Sequence, residues 1–164
     1  MDARKRSFDP VVDTRTRLLV LGSLPGERSL ARAQYYAHPQ NQFWRLMGGV
    51  TGIDLASLDY DARLEALLGA RIGLWDVVAS ALRRGSLDAG IRDHQPNDLA
   101  ALVQGLPDLR AVAFNGGTSA RIGGAALGGC PDIAKIALPS SSPAYTLAFG
   151  HKQARWNELR RFLA

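Results

Sequence analysis

Residues 17–44 read RLLVLGSLPGERSLARAQYYAHPQNQFW, and this stretch decides the fold. It opens with an unbroken apolar run at residues 18–21, short and continuous, as strands covered on both faces are. GSLPG, from Gly22 to Gly26, then turns the chain sharply. Glycine at both ends lets backbone N–H groups come close to a ligand. The aromatic–polar cluster YYAHPQNQFW follows at residues 35–44. Three more apolar runs, at residues 72–75, 109–114 and 133–138, have the same character, each ending in a turn or a polar residue. Helical patterns fall between the runs, at residues 42–48, 60–68, 98–104, 118–123 and 149–162. The second of these carries Leu64, Leu67 and Leu68 at helical spacing, with Asp59 or Asp61 as its cap. The last carries Trp156, Leu159, Phe162 and Leu163 as an apolar stripe. Strands alternating with helices predict an α/β chain: a three-layer α/β/α sandwich around a central four-stranded parallel sheet. The whole chain, 1–164, reads as a single domain with no repeat, and the Gly-rich stretch 123–129 reads as a loop. In open sheets of this kind, ligands sit at the carboxyl ends of the strands.

The composition narrows the classes. Hydrophobic residues make up 46% and charged residues 21% of the 164, an ordinary globular balance. No apolar run approaches the roughly 18–20 residues of a membrane span. The basic N-terminus, MDARKRSFDP, has no apolar segment of the secretory type, so a cytoplasmic location is the expectation. The net charge of +5 is compatible with a polyanionic partner. A lone cysteine, Cys130, forms no intrachain disulfide and cannot by itself hold an iron–sulfur cluster or a structural zinc. His38, His94 and His151 show no paired ligand spacing, so neither metal nor cofactor is expected.

Several strand ends carry chemistry. GSLPG is neither a P-loop nor a dinucleotide fingerprint, since it lacks both spacings. In the aromatic cluster, Tyr36 offers a π-face on which a base could stack. Asn41 offers both a donor and an acceptor, enough to orient a water or read a base edge. Phe43 and Trp44 are expected to pack inward; His38 is a candidate substrate-binding residue, although a histidine there more often makes a local structural hydrogen bond. Asp76, in LWDVV, places a carboxylate at a strand end, where it reads as functional more often than as core. Asp88, in GSLD, reads as a cap or a salt-bridge partner. Asn115, in FNGG, sits at another strand end, where Asn-Gly is also a common turn. LPSSSPAY sets Ser140, Ser141 and Ser142 between two prolines, a stiff, hydroxyl-rich turn suited to phosphate oxygens.

Taken together, these motifs resemble the uracil-DNA glycosylase superfamily over about residues 8–163. The order GxxPG, AHPxNxFW, a strand ending FNG, then LPSxS is similar to its mismatch-specific uracil/thymine branch. The hypoxanthine-DNA glycosylase branch, also called DNA-deoxyinosine glycosylase, is more similar still, through GSLPG, QYYAHPQNQFW, LWDVV, GSLD, FNG and LPSSSPA. The mismatch-specific branch has a water-positioning asparagine at the third position of GxxPG; here that position is Leu24. The hypoxanthine branch lacks it too, and an asparagine in HPQN is implicated instead, which matches Asn41. The second-motif histidine of the main uracil branch is absent, with Ser140 standing nearby. Branches with an iron–sulfur cluster need four cysteines, and this chain has one.

The resemblance implies a monofunctional enzyme of base-excision repair, a monomer acting at the nucleoid. Its partner is double-stranded DNA, and single-stranded DNA as a second substrate, carrying deaminated bases. The target nucleotide flips into a pocket. Tyr36 stacks on the base. Backbone N–H groups of Gly22, Ser23 and Leu24, with Asn115 or Asp76, read its edge and stabilise the leaving group. Asn41 orients a water toward the sugar carbon, and the Ser140–Ser142 loop presses into the minor groove. With no lysine in the cleft, Schiff-base chemistry is not expected. A second reading keeps the fold but makes the chain a binder of damaged or abasic DNA without efficient cleavage. A third, a small-molecule hydrolase using Ser23 or Ser140, lacks a GxSxG elbow and a His/Asp set in hydrolase order.

Overall fold

The structure, a computed structural model, describes residues 4–164. In chain order the elements are β1 (Arg4–Arg6), β2 (Leu18–Gly22), α1 (Glu27–Arg32), α2 (Phe43–Thr51), α3 (Tyr60–Gly69), β3 (Ile72–Asp76), β4 (Val78–Leu82), β5 (Arg92–Pro96), α4 (Leu99–Gln104), β6 (Ala111–Asn115), α5 (Gly117–Ala126), β7 (Ala134–Leu138) and α6 (Phe149–Asn157). A 3-10 turn, Glu158–Phe162, continues α6.

The four expected strands form one parallel sheet of order β3-β2-β6-β7. Its two faces divide the β2 residues by the period of two that a strand imposes. Leu18 and Val20 join one buried cluster with Phe43, Leu46, Leu67 and Trp156, contributed by α2, α3 and α6. Leu19 and Leu21 join a second cluster with Val77, Leu99, Val103 and Phe114, beneath α4 and α5. All four β2 side chains are fully buried. Each such burial contributes about 1.5–3 kcal/mol, which is why the run is continuous rather than alternating.

The local signals resolve simply. Asp59 caps α3, its side chain accepting from Ala62 N. Asp98 caps α4 by accepting from Ala101 N. Residues 123–129 are not all loop, because α5 continues to Ala126. Gly123 is there for close packing: a Cβ would stand 2.4 Å from Phe114 Cε1 and 2.9 Å from Val77 Cγ1.

A second sheet, antiparallel and of order β1-β4-β5, was not legible in the sequence. Its strand β5 is RDHQP, polar and exposed at every position, so no hydrophobic period marks it. Only Val77 separates β4 from β3. The loop between β4 and β5 is thereby carried to the rim above the parallel sheet.

The strand order reverses at β2, whose neighbours are β3 on one side and β6 on the other. Ligands of open α/β sheets bind at such a switch point. Here the four carboxyl-terminal strand residues are Gly22, Asp76, Asn115 and Leu138. Gly22 lies in register with Asp76, and Asn115 with Leu138.

Candidate active site

A cavity of about 320 Å³ opens above these strand ends. All eleven candidate residues of the sequence line it: Gly22, Ser23, Leu24, Tyr36, His38, Asn41, Asp76, Asn115, Ser140, Ser141 and Ser142. The size is at the small end of ligand pockets. The loop after β2, the segment before α2, the end of β3, the β4–β5 loop and the β7–α6 loop each contribute a wall.

One wall is a directed chain of hydrogen bonds. Phe43 N donates to Asn41 Oδ1 at 3.0 Å, which fixes the orientation of that amide. Ser141 Oγ donates to the same oxygen at 2.8 Å. Asn115 Nδ2 donates to Ser141 Oγ at 2.9 Å, and Ser141 N donates to Asn115 Oδ1 at 2.9 Å. Asn115 Nδ2 also donates to Tyr36 Oη, at 3.4 Å. Two consequences follow from the donor inventory. Both lone pairs of Asn41 Oδ1 are engaged, so Asn41 meets a ligand or water as a donor through Nδ2. Tyr36 Oη accepts from Asn115, so its own proton is left to donate.

Tyr36 is placed under strain. Its φ of +54° is in the left-handed region, unusual for an aromatic residue. One face of its ring lies on Phe43, with centroids 3.9 Å apart and planes 17° apart. A base can therefore stack only on the opposite face. Burial, with Asp76 nearby, pushes the Tyr36 hydroxyl well above the usual phenol range. It stays a neutral donor.

The floor is made by Gly22, Tyr36 and Asp76. A Cβ on Gly22 would stand 2.6 Å from Asp76 Oδ1 and 2.9 Å from Tyr36 Oη. Only glycine lets both groups close over the end of β2. Asp76 is 4% exposed, and its Oδ2 has no hydrogen-bond partner among the described residues. Burial, reinforced by the neighbouring Asp88 carboxylate, pushes its carboxyl up to about 7. Asn97 Nδ2 holds the Asp76 carbonyl at 2.8 Å.

Ser23, Leu24 and His38 take supporting positions. Ser23 Oγ donates to Asp88 Oδ1 at 2.6 Å, so Asp88 pins the loop after β2 rather than capping a helix. The Leu24 side chain is buried in the cluster beneath α4 and α5. His38 Nδ1 accepts from Gln40 N at 3.1 Å, a local structural bond.

Two buried cations were missed by sequence reasoning. Arg83, 1% exposed, donates to the carbonyls of Leu24, Pro25 and Gly85, clamping the loop after β2 to the β4–β5 loop. Lys152, also 1% exposed, reaches from α6 to Gln42 Oε1 at 2.9 Å and to Ser142 O at 3.2 Å. Its Nζ lies 5.4 Å from the Tyr145 ring centroid. Lys152 thus ties the serine loop to the start of α2 from behind and is not among the cavity-lining residues. Neither residue differs in sequence from its exposed arginine and lysine neighbours, so no signal marked it.

The serine triplet divides by orientation. Ser141 is buried and belongs to the hydrogen-bond chain, whereas Ser140 and Ser142 are half-buried and cap their own loop. Among the described residues, no group of three or more His, Cys, Asp or Glu side chains converges as a metal site. No described helix is long and apolar enough to cross a membrane.

Comparison with known proteins shows the family. Residues 10–161 match the model of the uracil DNA glycosylase superfamily. The chain belongs to that superfamily. A hypoxanthine DNA glycosylase of Methanosarcina acetivorans is 39% identical over 157 residues, covering 96% of this chain and 98% of the relative. One from Methanosarcina barkeri is 48% identical over 113 residues, covering 69% of this chain and 72% of the relative. A solution NMR structure from Methanosarcina acetivorans, of a protein provisionally assigned as a uracil DNA glycosylase, superimposes with a TM-score of 0.88 at 38% identity. That match covers 98% of this chain and 99% of the other. This member of the superfamily is a base-excision DNA glycosylase, and DNA is its substrate.

Proposed function

We propose that this glycosylase excises deaminated bases, hypoxanthine foremost and uracil as a second substrate, and leaves an abasic site. The observation that carries the reading is the cavity at the switch point, with its oriented donors on Tyr36 and Asn41 beside Gly22. The two named relatives, both hypoxanthine DNA glycosylases, support the choice of base. A base inside a duplex is out of reach of such a cavity, so the nucleotide is extruded into it. The free face of Tyr36 stacks on the base. The Asn41 amide donates to a water and holds it toward the sugar carbon, while the Ser140–Ser142 loop bears on the duplex.

Bond breaking precedes water attack, through an oxocarbenium-like sugar. That order suits a site whose water-holding group is an amide, because an amide orients water and cannot deprotonate it. The chemistry is monofunctional, since Lys152 Nζ is held by Gln42 and Ser142 behind the loop. We place the enzyme as a single-domain monomer in the cytoplasm, at the nucleoid.

The test is a panel of duplexes, each with one hypoxanthine, uracil or xanthine, assayed for abasic sites after incubation with the purified protein. Abasic sites at hypoxanthine, and fewer at uracil, are expected. Tight binding of all three duplexes without abasic sites would leave a DNA-binding protein of the same fold.

A further inference from the structure

The cavity floor holds a group whose surroundings are unlike those of an ordinary structural carboxylate. Asp76 Oδ2 is fully enclosed and has no hydrogen-bond partner among the described residues. The Tyr36 hydroxyl makes no hydrogen bond to this oxygen, and the other nearby donors are engaged elsewhere. The Arg83 guanidinium is committed to the carbonyls of Leu24, Pro25 and Gly85. Ser23 Oγ donates to Asp88. Asn115 donates to Ser141 and Tyr36. An ionised carboxylate left without donors at such a depth is strongly disfavoured. The same carboxyl in its acid form has a proton to give, and it lines the cavity into which the base must come.

We propose that Asp76, as a neutral acid, protonates the departing purine at N7. The proposal rests on the reading of the chain as a hypoxanthine-excising glycosylase. The C1′–N9 bond breaks and its electron pair passes into the base. The Asp76 proton goes to N7, the most basic ring nitrogen of the purine nucleoside, and hypoxanthine leaves neutral. A water adds to C1′ of the oxocarbenium sugar and gives up a proton, which re-forms the Asp76 acid. A pyrimidine has no N7 and leaves as its own resonance-stabilised anion, so the device favours purines.

Charge around Asp76 supports the acid form. Burial and the Asp88 carboxylate raise its pKa to about 7, against the opposing charge of Arg83. Tyr35 and Tyr36, from the segment before α2, are both held neutral by burial with Asp76 nearby. His38, Glu27 and Arg28 line the same cavity. A general acid poised near the working pH contributes about 10²–10⁴ in rate.

The experiment is single-turnover excision from a deoxyinosine duplex between pH 5 and 9, with wild type, Asp76→Asn and Asp88→Asn. A second duplex carries 7-deaza-2′-deoxyinosine. The wild-type rate should be level at acid pH and fall about tenfold per pH unit above about 7. Asp88→Asn removes a repelling charge and keeps an acceptor for Ser23, so its falling limb should move to lower pH. Asp76→Asn should bind the duplex normally, lose about 10² or more in rate and lose the pH dependence. The 7-deaza substrate should be as slow with wild type as with Asp76→Asn. A rate for Asp76→Asn within about threefold of wild type, or equal rates on both duplexes, overturns the proposal and leaves the glycosylase reading intact. No hypoxanthine release by wild type at any pH overturns both.

Discussion

At the scale of single residues, the site works by polarity that is already directed. Phe43 N fixes the Asn41 amide, Asn41 fixes the Ser141 hydroxyl, and Ser141 with Asn115 leaves the Tyr36 proton to donate. The sequence suggested that Tyr36 acts through its ring, because an aromatic residue beside Asn and His reads as a stacking face. The structure gives its hydroxyl a place on the floor as well. Tyr36→Phe should therefore lower the excision rate by about tenfold, the scale of one lost hydrogen bond of about 1–1.5 kcal/mol. An unchanged rate would restore the ring as the whole of its role. Asp76 also predicts a stability profile. Its folded pKa of about 7 is above its usual 3.8. Between those values the unfolded chain has lost a proton that the folded chain keeps, so stability falls as pH rises through that window. Asp76→Asn cannot ionise. Its thermal unfolding should match wild type near pH 4 and exceed it at pH 8, by on the order of 1–3 kcal/mol. Parallel profiles from pH 4 to pH 8 would mean that the carboxylate is well paired.

At the scale of elements, three of the four parallel strands end in site positions, Gly22, Asp76 and Asn115, and the loops after β2, between β4 and β5 and after β7 wall the cavity above them. The strands were legible because each is a continuous apolar run ending in a turn. GSLPG, LWD, FNG and LPSSS were legible as strand ends for the same reason. The antiparallel sheet was not, since β5 is exposed and polar throughout. Its loss from the reading also hid Arg83, whose meaning appears only when the β4–β5 loop meets the loop after β2. The serine triplet read as one wedge because sequence cannot say which hydroxyls turn inward. Ser141 turns inward, to Asn41 and Asn115. The double substitution of Ser140 and Ser142 by alanine should thus reduce excision from duplex DNA more than from single-stranded DNA, where stacking is already partly lost. Ser141→Ala should reduce both equally, by about tenfold or more, since it breaks the chain that holds Asn41. Rates on the two substrates, measured side by side, decide it. Equal losses in the double variant would move those serines from the duplex to the base.

At the scale of the whole molecule, the chain carries a net charge of +5 and opens its cavity at one end of the sheet. Phosphate contacts release counterions, so the logarithm of the DNA-binding constant should fall linearly with the logarithm of salt concentration. Four phosphate contacts, for example, would give a slope of about −3.6 on duplex DNA. Titrations at several salt concentrations with intact and hypoxanthine-containing duplexes should give the same slope and different intercepts, because the extruded base adds contacts that are not ionic. A salt-independent constant would remove the phosphates from the account. The central claim is that this fold, with Leu24 in place of the usual water-positioning asparagine, still cleaves the glycosidic bond through Asn41. The most direct measurement is the amount of free hypoxanthine released from a deoxyinosine duplex in the presence of a chelator, for wild type and Asn41→Ala. Wild type should release one base per abasic site with the phosphodiester intact, and Asn41→Ala should bind the duplex yet release less than about 1% as fast. Release by Asn41→Ala at the wild-type rate, or none by wild type despite tight binding, would contradict it.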